Sequence, residues 1–140
     1  MADHGINVSR ADTAVATPNA ATCGIPFVIG TAPLSKATGT AATVGTPVLC
    51  TGYTEAEEQL GYDDDWAKYT VCEVMHYHFK LCACQPVIFL PLAEDAEAAA
   101  VAAAVEQVEA CLTMFGIVPD LIMAPGFSKD CLLYTSDAAD

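Results

Sequence analysis

The sequence predicts an α/β domain, a mostly parallel β-sheet with helices packed on it, preceded by an extended N-terminal arm. Three observations lead there. Short β-branched and aromatic runs bracketed by Gly or Pro recur along the chain, as strands do. Between them, apolar residues repeat at three- and four-residue steps, as on one face of a helix. One run, Val87-Ile88-Phe89-Leu90, lacks polar alternation, as expected of a strand covered on both faces. Strands separated by helices favour right-handed βαβ crossovers and hence parallel pairing.

In chain order, residues 1–21 are rich in Ala, Thr, Asn and Asp with little periodicity, and read as an extended arm. Gly24-Ile25-Pro26-Phe27-Val28-Ile29-Gly30 is the first buried strand, and Thr31 to Gly45 a loop. Pro47-Val48-Leu49-Cys50 is a second short strand. Thr54 and Glu57 have capping-box spacing for a short helix that ends at Leu60-Gly61, with Gly61 suited to a left-handed cap. Asp63-Asp64-Asp65 offers the next N-terminus. Behind it Trp66, Tyr69, Cys72, Met75, Phe79 and Cys82 form the stripe of one helix of about five turns, stopped at Gln85-Pro86. After the strand at Val87, acidic Glu94, Asp95 and Glu97 open a helix whose stripe is Val101, Val105, Val108, Leu112 and Phe115, with Gly116 as its cap. Leu121-Ile122-Met123-Ala124 is expected as a further buried strand. The domain boundaries are thus 1–21 for the arm and 22–130 for the α/β core. Residues 131–140 continue no element; they resemble translated sequencing-adapter sequence and are expected to be a non-native tail that cuts the reading frame short.

Charge and composition exclude several classes. The chain has 140 residues, of which 54% are hydrophobic, enough for one domain with a real core. Five basic residues face 18 acidic ones, for a formal charge of −13. Such a surface repels phosphate backbones, so nucleic acid is not an expected partner. The longest apolar run, Val87 to Leu92, is far short of the ~20 residues of a membrane helix, and no membrane insertion is expected. Seven cysteines, an odd number in apolar surroundings, read as reduced core groups rather than a disulfide framework.

Chemistry has few places to sit. Cys72, His76, His78, Cys82 and Cys84 carry zinc-type ligands, but His76 and His78 fall about 200° apart around an α-helix, so one ion cannot collect both pairs. Asp63-Asp64-Asp65 lacks the interleaved ligands of a calcium loop and reads as a solvated helix start. Gly30 to Lys36 follows a strand but lacks the Gly-Lys-Ser/Thr ending of a phosphate loop. Ser128 has no assignable base. No catalytic, cofactor-binding or metal-ligating residue is therefore assigned, and no cofactor is expected. The rival expectation is a small α/β enzyme or nucleotide-binding domain, with convergent polar groups at the strand ends near Thr31, Thr51 or Gly126.

The order of segments adds a resemblance. His4-Gly5-Ile6-Asn7-Val8 is similar to the "HGV-x-V" opening of the N-terminal arms of contractile phage tail sheath proteins. Gly24 to Pro33 resembles that family's first core strand and turn. Pro47 to Cys50, Leu60-Gly61-Tyr62, Asp64 to Thr70, Pro86 to Phe89 and Val118 to Gly126 follow in the family's order. The resemblance covers about residues 4–129 and implies a structural subunit without enzymatic activity. It also implies helical homo-oligomers of neighbouring sheath subunits around a tail tube protein, located in the virion tail and assembled in the bacterial host cytoplasm. In that family, arms such as His4 to Val8 add strands to neighbouring sheets, and contraction drives the tube through the host envelope for genome ejection. The sheath of a non-phage contractile injection system shares these features. The segment from Leu92 to Val101 departs from longer members, which carry an extra surface domain there.

Overall fold

The computed structural model describes residues 24–84 and 86–127. The arm, with His4, Gly5, Ile6, Asn7 and Val8, and the segment 131–140 lie outside the described residues. Four strands form one mixed sheet: β1 (Pro26–Thr31), β2 (Val48–Cys50), β3 (Val87–Leu92) and β4 (Leu121–Met123), in the order β2-β3-β1-β4. β1 runs parallel to β3 and to β4, while β2 pairs antiparallel with β3. The expected mostly parallel sheet with packed helices is therefore present, with one antiparallel edge.

The two central strands explain the unalternating sequence. β1 and β3 are buried at every position, because each has a strand on either side and helices over both faces. Side chains alternate between two apolar clusters. Val28, Val87 and Phe89 face α1 (Tyr53–Leu60), α2 (Thr70–Met75) and the turn after it. Phe27, Ile29, Ile88 and Leu90 face α3 (Ala98–Val105) and α4 (Val108–Phe115). The result is three layers, helices on a sheet on helices.

Local chemistry moves several boundaries. The capping box at Thr54 and Glu57 is not the one that forms. The helix starts at Tyr53, and Glu55 accepts from both the amide (2.9 Å) and the hydroxyl (2.7 Å) of Thr51. At its other end the Gly61 amide bonds the Glu57 carbonyl, and the amides of Gly39 and Ala42 in the long loop take the Glu58 and Gln59 carbonyls. Gly61 does adopt positive φ (+75), yet its ψ of 172 turns the chain straight out of the helix rather than into a left-handed cap.

The long helix expected from Trp66 to Cys82 is shorter and of two kinds. The Asp63 carboxylate binds the Asp65 amide at 2.8 Å and the Asp65 carboxylate binds the Lys68 amide at 3.3 Å. These side chains hold residues 63–68 in a turn, so the helix begins only at Thr70. From His76 to Leu81 it widens into a π-helical turn, with the Cys82 amide reaching back to the Tyr77 carbonyl. The wider turn keeps Phe79 in the core and swings Cys82 out to solvent, correcting its place in the apolar stripe. The turn closes at Ala83, whose φ of +50 lets the Cys84 amide bond the His78 carbonyl at 2.8 Å. A side chain at such φ costs about 1–2 kcal/mol. Ala83→Gly is therefore expected to raise the unfolding free energy by roughly 0.5–1 kcal/mol, after the entropy glycine adds to the unfolded chain. A urea titration that shows an unchanged or lower midpoint refutes it.

Two further corrections concern the second half. The stripe from Val101 to Phe115 is split, because α3 and α4 meet at an angle of 47°. At the break, amides bond carbonyls three residues back, Gln107 to Ala104 and Ala110 to Gln107. The rotation buries Cys111 and leaves Leu112 57% exposed. Among the described residues, no single helix is long and apolar enough to cross a membrane. β4, expected as a buried strand, is instead an edge strand with Leu121 55% and Ile122 46% exposed. Its register is set by Asp120, which exchanges two bonds with the backbone of Ile25: its carboxylate accepts from the Ile25 amide, and its own amide donates to the Ile25 carbonyl, each at 2.9 Å.

Candidate functional site

Three regions stand out, two of them holding the polar and ionisable groups singled out above. The first is the region beyond the carboxyl ends of β1 and β3, whose onward connections leave to opposite faces of the sheet. In open α/β sheets, ligands bind beyond strand ends where such connections part. Thr31 ends β1 and is nearly buried. Its hydroxyl donates to the Lys68 carbonyl and accepts from the Thr70 amide, while its amide donates to the Thr70 hydroxyl at 3.2 Å. Gly30 makes this closeness possible: a Cβ there would lie 2.4 Å from the Thr70 hydroxyl oxygen. Gly126 approaches the same residue, with a Cβ position 2.8 Å from the Thr70 methyl carbon.

Beside these strand ends Tyr69 donates to Glu94 at 2.9 Å, and Lys68 pairs with the other Glu94 oxygen at 3.0 Å. The contact with Tyr69, then that with Glu94, holds the Lys68 ammonium above its ordinary range. Lys68 first, then Tyr69, holds the Glu94 carboxyl below its own. These ions are solvent-exposed, so the pair ties the loop after β3 to the start of α2 without contributing much stability. Lys36 and Asp63 form a second exposed pair on the same side, each favouring the other's charged form. The convergent polar groups expected at Thr31, Thr51 and Gly126 thus divide. Thr31 and Gly126 meet at Thr70, whereas Thr51 bonds Glu55 at the start of α1.

The second region is the histidine and cysteine stretch. Cys72 lies in the core, where burial pushes its thiol up to about 11. His76 packs on Trp66, ring centroids 5.2 Å apart, and on Tyr77 at 5.7 Å. Burial holds the His78 imidazole below its ordinary range. The Nδ1 atoms of His76 and His78 are buried without a hydrogen-bond partner among the described residues. Cys82 is exposed and Cys84 half-buried. Among the described residues, no group of three or more His, Cys, Asp or Glu side chains is placed to share a metal ion.

The third region is the chain from α4 to β4. Leu112, Met114, Val118, Leu121 and Ile122 are all exposed large apolar side chains from this part of the chain. Periodicity did not signal this, since a short apolar run reads alike at the centre and at the edge of a sheet. Nor did the sequence signal the Thr31–Thr70 exchange or the Lys68–Glu94–Tyr69 cluster, which join residues far apart in the chain. In comparisons with known proteins, no family model, no curated protein and no solved structure matches this chain.

Proposed function

We propose that the chain is a structural subunit of a contractile tail sheath, polymerising around a tail tube and contracting to drive it through an envelope. The ordered resemblance from His4 to Gly126 supports this reading, as does an acidic surface unsuited to nucleic acid. The observation in the fold that carries it is β4. An edge strand presents unpaired backbone donors and acceptors, and natural sheets protect such edges with charge, proline or cover. Here the edge carries Leu121 and Ile122 at its surface, and among the described residues no strand pairs with its outer side. An extended arm from a neighbouring subunit, such as residues 1–21, fits there by strand addition, with backbone bonds for affinity and apolar contacts for register.

The test is electron microscopy of the protein coexpressed with a tail tube protein. Helical sheaths or polysheaths are expected. The double substitution Leu121→Glu and Ile122→Lys is expected to abolish ordered polymer while leaving the monomer's circular dichroism unchanged, because exposed substitutions of this kind move stability by about 0.5 kcal/mol or less. Failure of the parent protein to polymerise under any condition counts against the sheath reading. Normal polymer from the double variant removes β4 as the contact.

A further inference from the structure

The described cysteines fall into two groups. Cys50, Cys72 and Cys111 are buried, Cys50 and Cys111 within the two apolar clusters. Burial pushes the Cys50 thiol up to about 12 and the Cys72 thiol up to about 11, and raises that of Cys111 as well. Thiols so placed act as small apolar groups and meet no solution reagent. Cys82 and Cys84 are free thiols at the surface, one exposed and one half-buried, with only Ala83 between them. The backbone folds tightly around that residue. Ala83 has φ +50, and the Cys84 amide is tied to the His78 carbonyl at 2.8 Å. The Cys84 sulfur lies 3.6 Å from the Cys82 carbonyl oxygen, folded back onto the residue that bears the other thiol.

We propose that Cys82 and Cys84 form a redox-reversible Cys-x-Cys dithiol, which a low-molecular-weight disulfide oxidises to an intramolecular disulfide. The more exposed Cys82 reacts first. Its thiolate attacks one sulfur of the small disulfide, forming a mixed disulfide and expelling one small thiolate. The Cys84 thiolate then attacks the Cys82 sulfur, closing the protein disulfide and expelling the second small thiolate. Two protein thiols lose two protons and two electrons, and one small disulfide becomes two small thiols. The turn at Ala83 folds the Cys84 sulfur onto the residue that bears the mixed disulfide, so closure competes well with release. A ring spanning one intervening residue is strained and exposed, and such disulfides are readily reduced again. The proposal is independent of the sheath reading.

The experiment uses the full-length protein with Cys23→Ser and Cys131→Ser, so that only the described cysteines remain. It is incubated folded with oxidised glutathione, quenched in acid, alkylated in denaturant and mapped by tandem mass spectrometry. Expected is an unalkylated Cys82–Cys84 segment about 2 Da lighter than the reduced one, restored by dithiothreitol, with Cys50, Cys72 and Cys111 fully alkylated. Cys84→Ser is expected to stop at a glutathione adduct on Cys82, about 305 Da heavier. A stable adduct on Cys82 in the protein that retains Cys84 overturns the proposal, as does equal oxidation of the buried thiols. An unmodified Cys82–Cys84 segment after prolonged incubation overturns it as well.

Discussion

Replacing Gly61 by Ala is expected to lower the unfolding free energy by about 3 kcal/mol, a large part of the 5–15 kcal/mol typical of a domain. Two causes act together. At φ +75 and ψ 172, a region that is essentially glycine's alone, an L side chain costs about 1–3 kcal/mol. A Cβ there would also lie 2.3 Å from the Pro33 carbonyl oxygen and 2.9 Å from the Ala37 amide nitrogen. Both are backbone atoms of the short 3-10 turn Leu34–Lys36 and its flanks, so no rotamer change relieves the overlap. Overpacking of this kind adds typically 1–3 kcal/mol. The turn must shift, and with it the loop whose amides cap the last carbonyls of α1. Gly45 supplies the control, because it has nearly the same φ (+77) and open space where a Cβ would go. Gly45→Ala should show the cost of a side chain at positive φ without any overlap. Urea titrations of the two variants that give equal losses would falsify the packing half of the argument.

The features legible in the sequence were those that follow from one segment's own pattern. β1 and β3 stood out because burial on both faces removes polar alternation from Phe27 to Ile29 and from Val87 to Leu90. The Gly116 cap was equally local: its φ of +68 and ψ of 20 are the left-handed conformation that glycine favours. What stayed hidden depends on partners distant in the chain or on competition between local options. Thr54 and Thr51 both have a glutamate within capping reach, and only the position of the helix start decides for Glu55. Asp63 and Asp65 can open a helix or hold a turn; here they hold the turn, and Trp66 leaves the helical stripe. Leu121 and Ile122 look like core residues until the strand order puts them at an edge. The strand-end cluster was anticipated only as a place, near Thr31, Thr51 or Gly126. Its working contacts run to Thr70, Lys68 and Glu94, which periodicity cannot link to β1.

Phe89→Ala should be the most damaging single truncation in the core, with an expected loss of about 3–5 kcal/mol. Phe89 is fully buried at the middle of β3, a central strand, so neither neighbouring strand can move in to fill the space. It pairs with Val28 across the parallel ladder and with Val48 across the antiparallel one. Its ring meets Phe79 edge-to-face, centroids 6.1 Å apart at 64°, a contact that ties the π-helical turn to the sheet. Losing it should loosen His76–Leu81 before the sheet itself melts. The chain contains one tryptophan, Trp66, and it packs on His76 and Tyr77 of that turn, so its fluorescence reports the turn directly. In the parent protein, fluorescence and far-ultraviolet circular dichroism should give coincident urea transitions, as for any two-state domain. In Phe89→Ala the fluorescence transition should fall at lower urea than the dichroism transition. A double-mutant cycle with Phe79→Ala should return a coupling of about 0.5–1.5 kcal/mol between the rings. Coincident transitions together with a coupling near zero would mean that the turn is held by its own backbone bonds, and that Phe79 fills space without anchoring it.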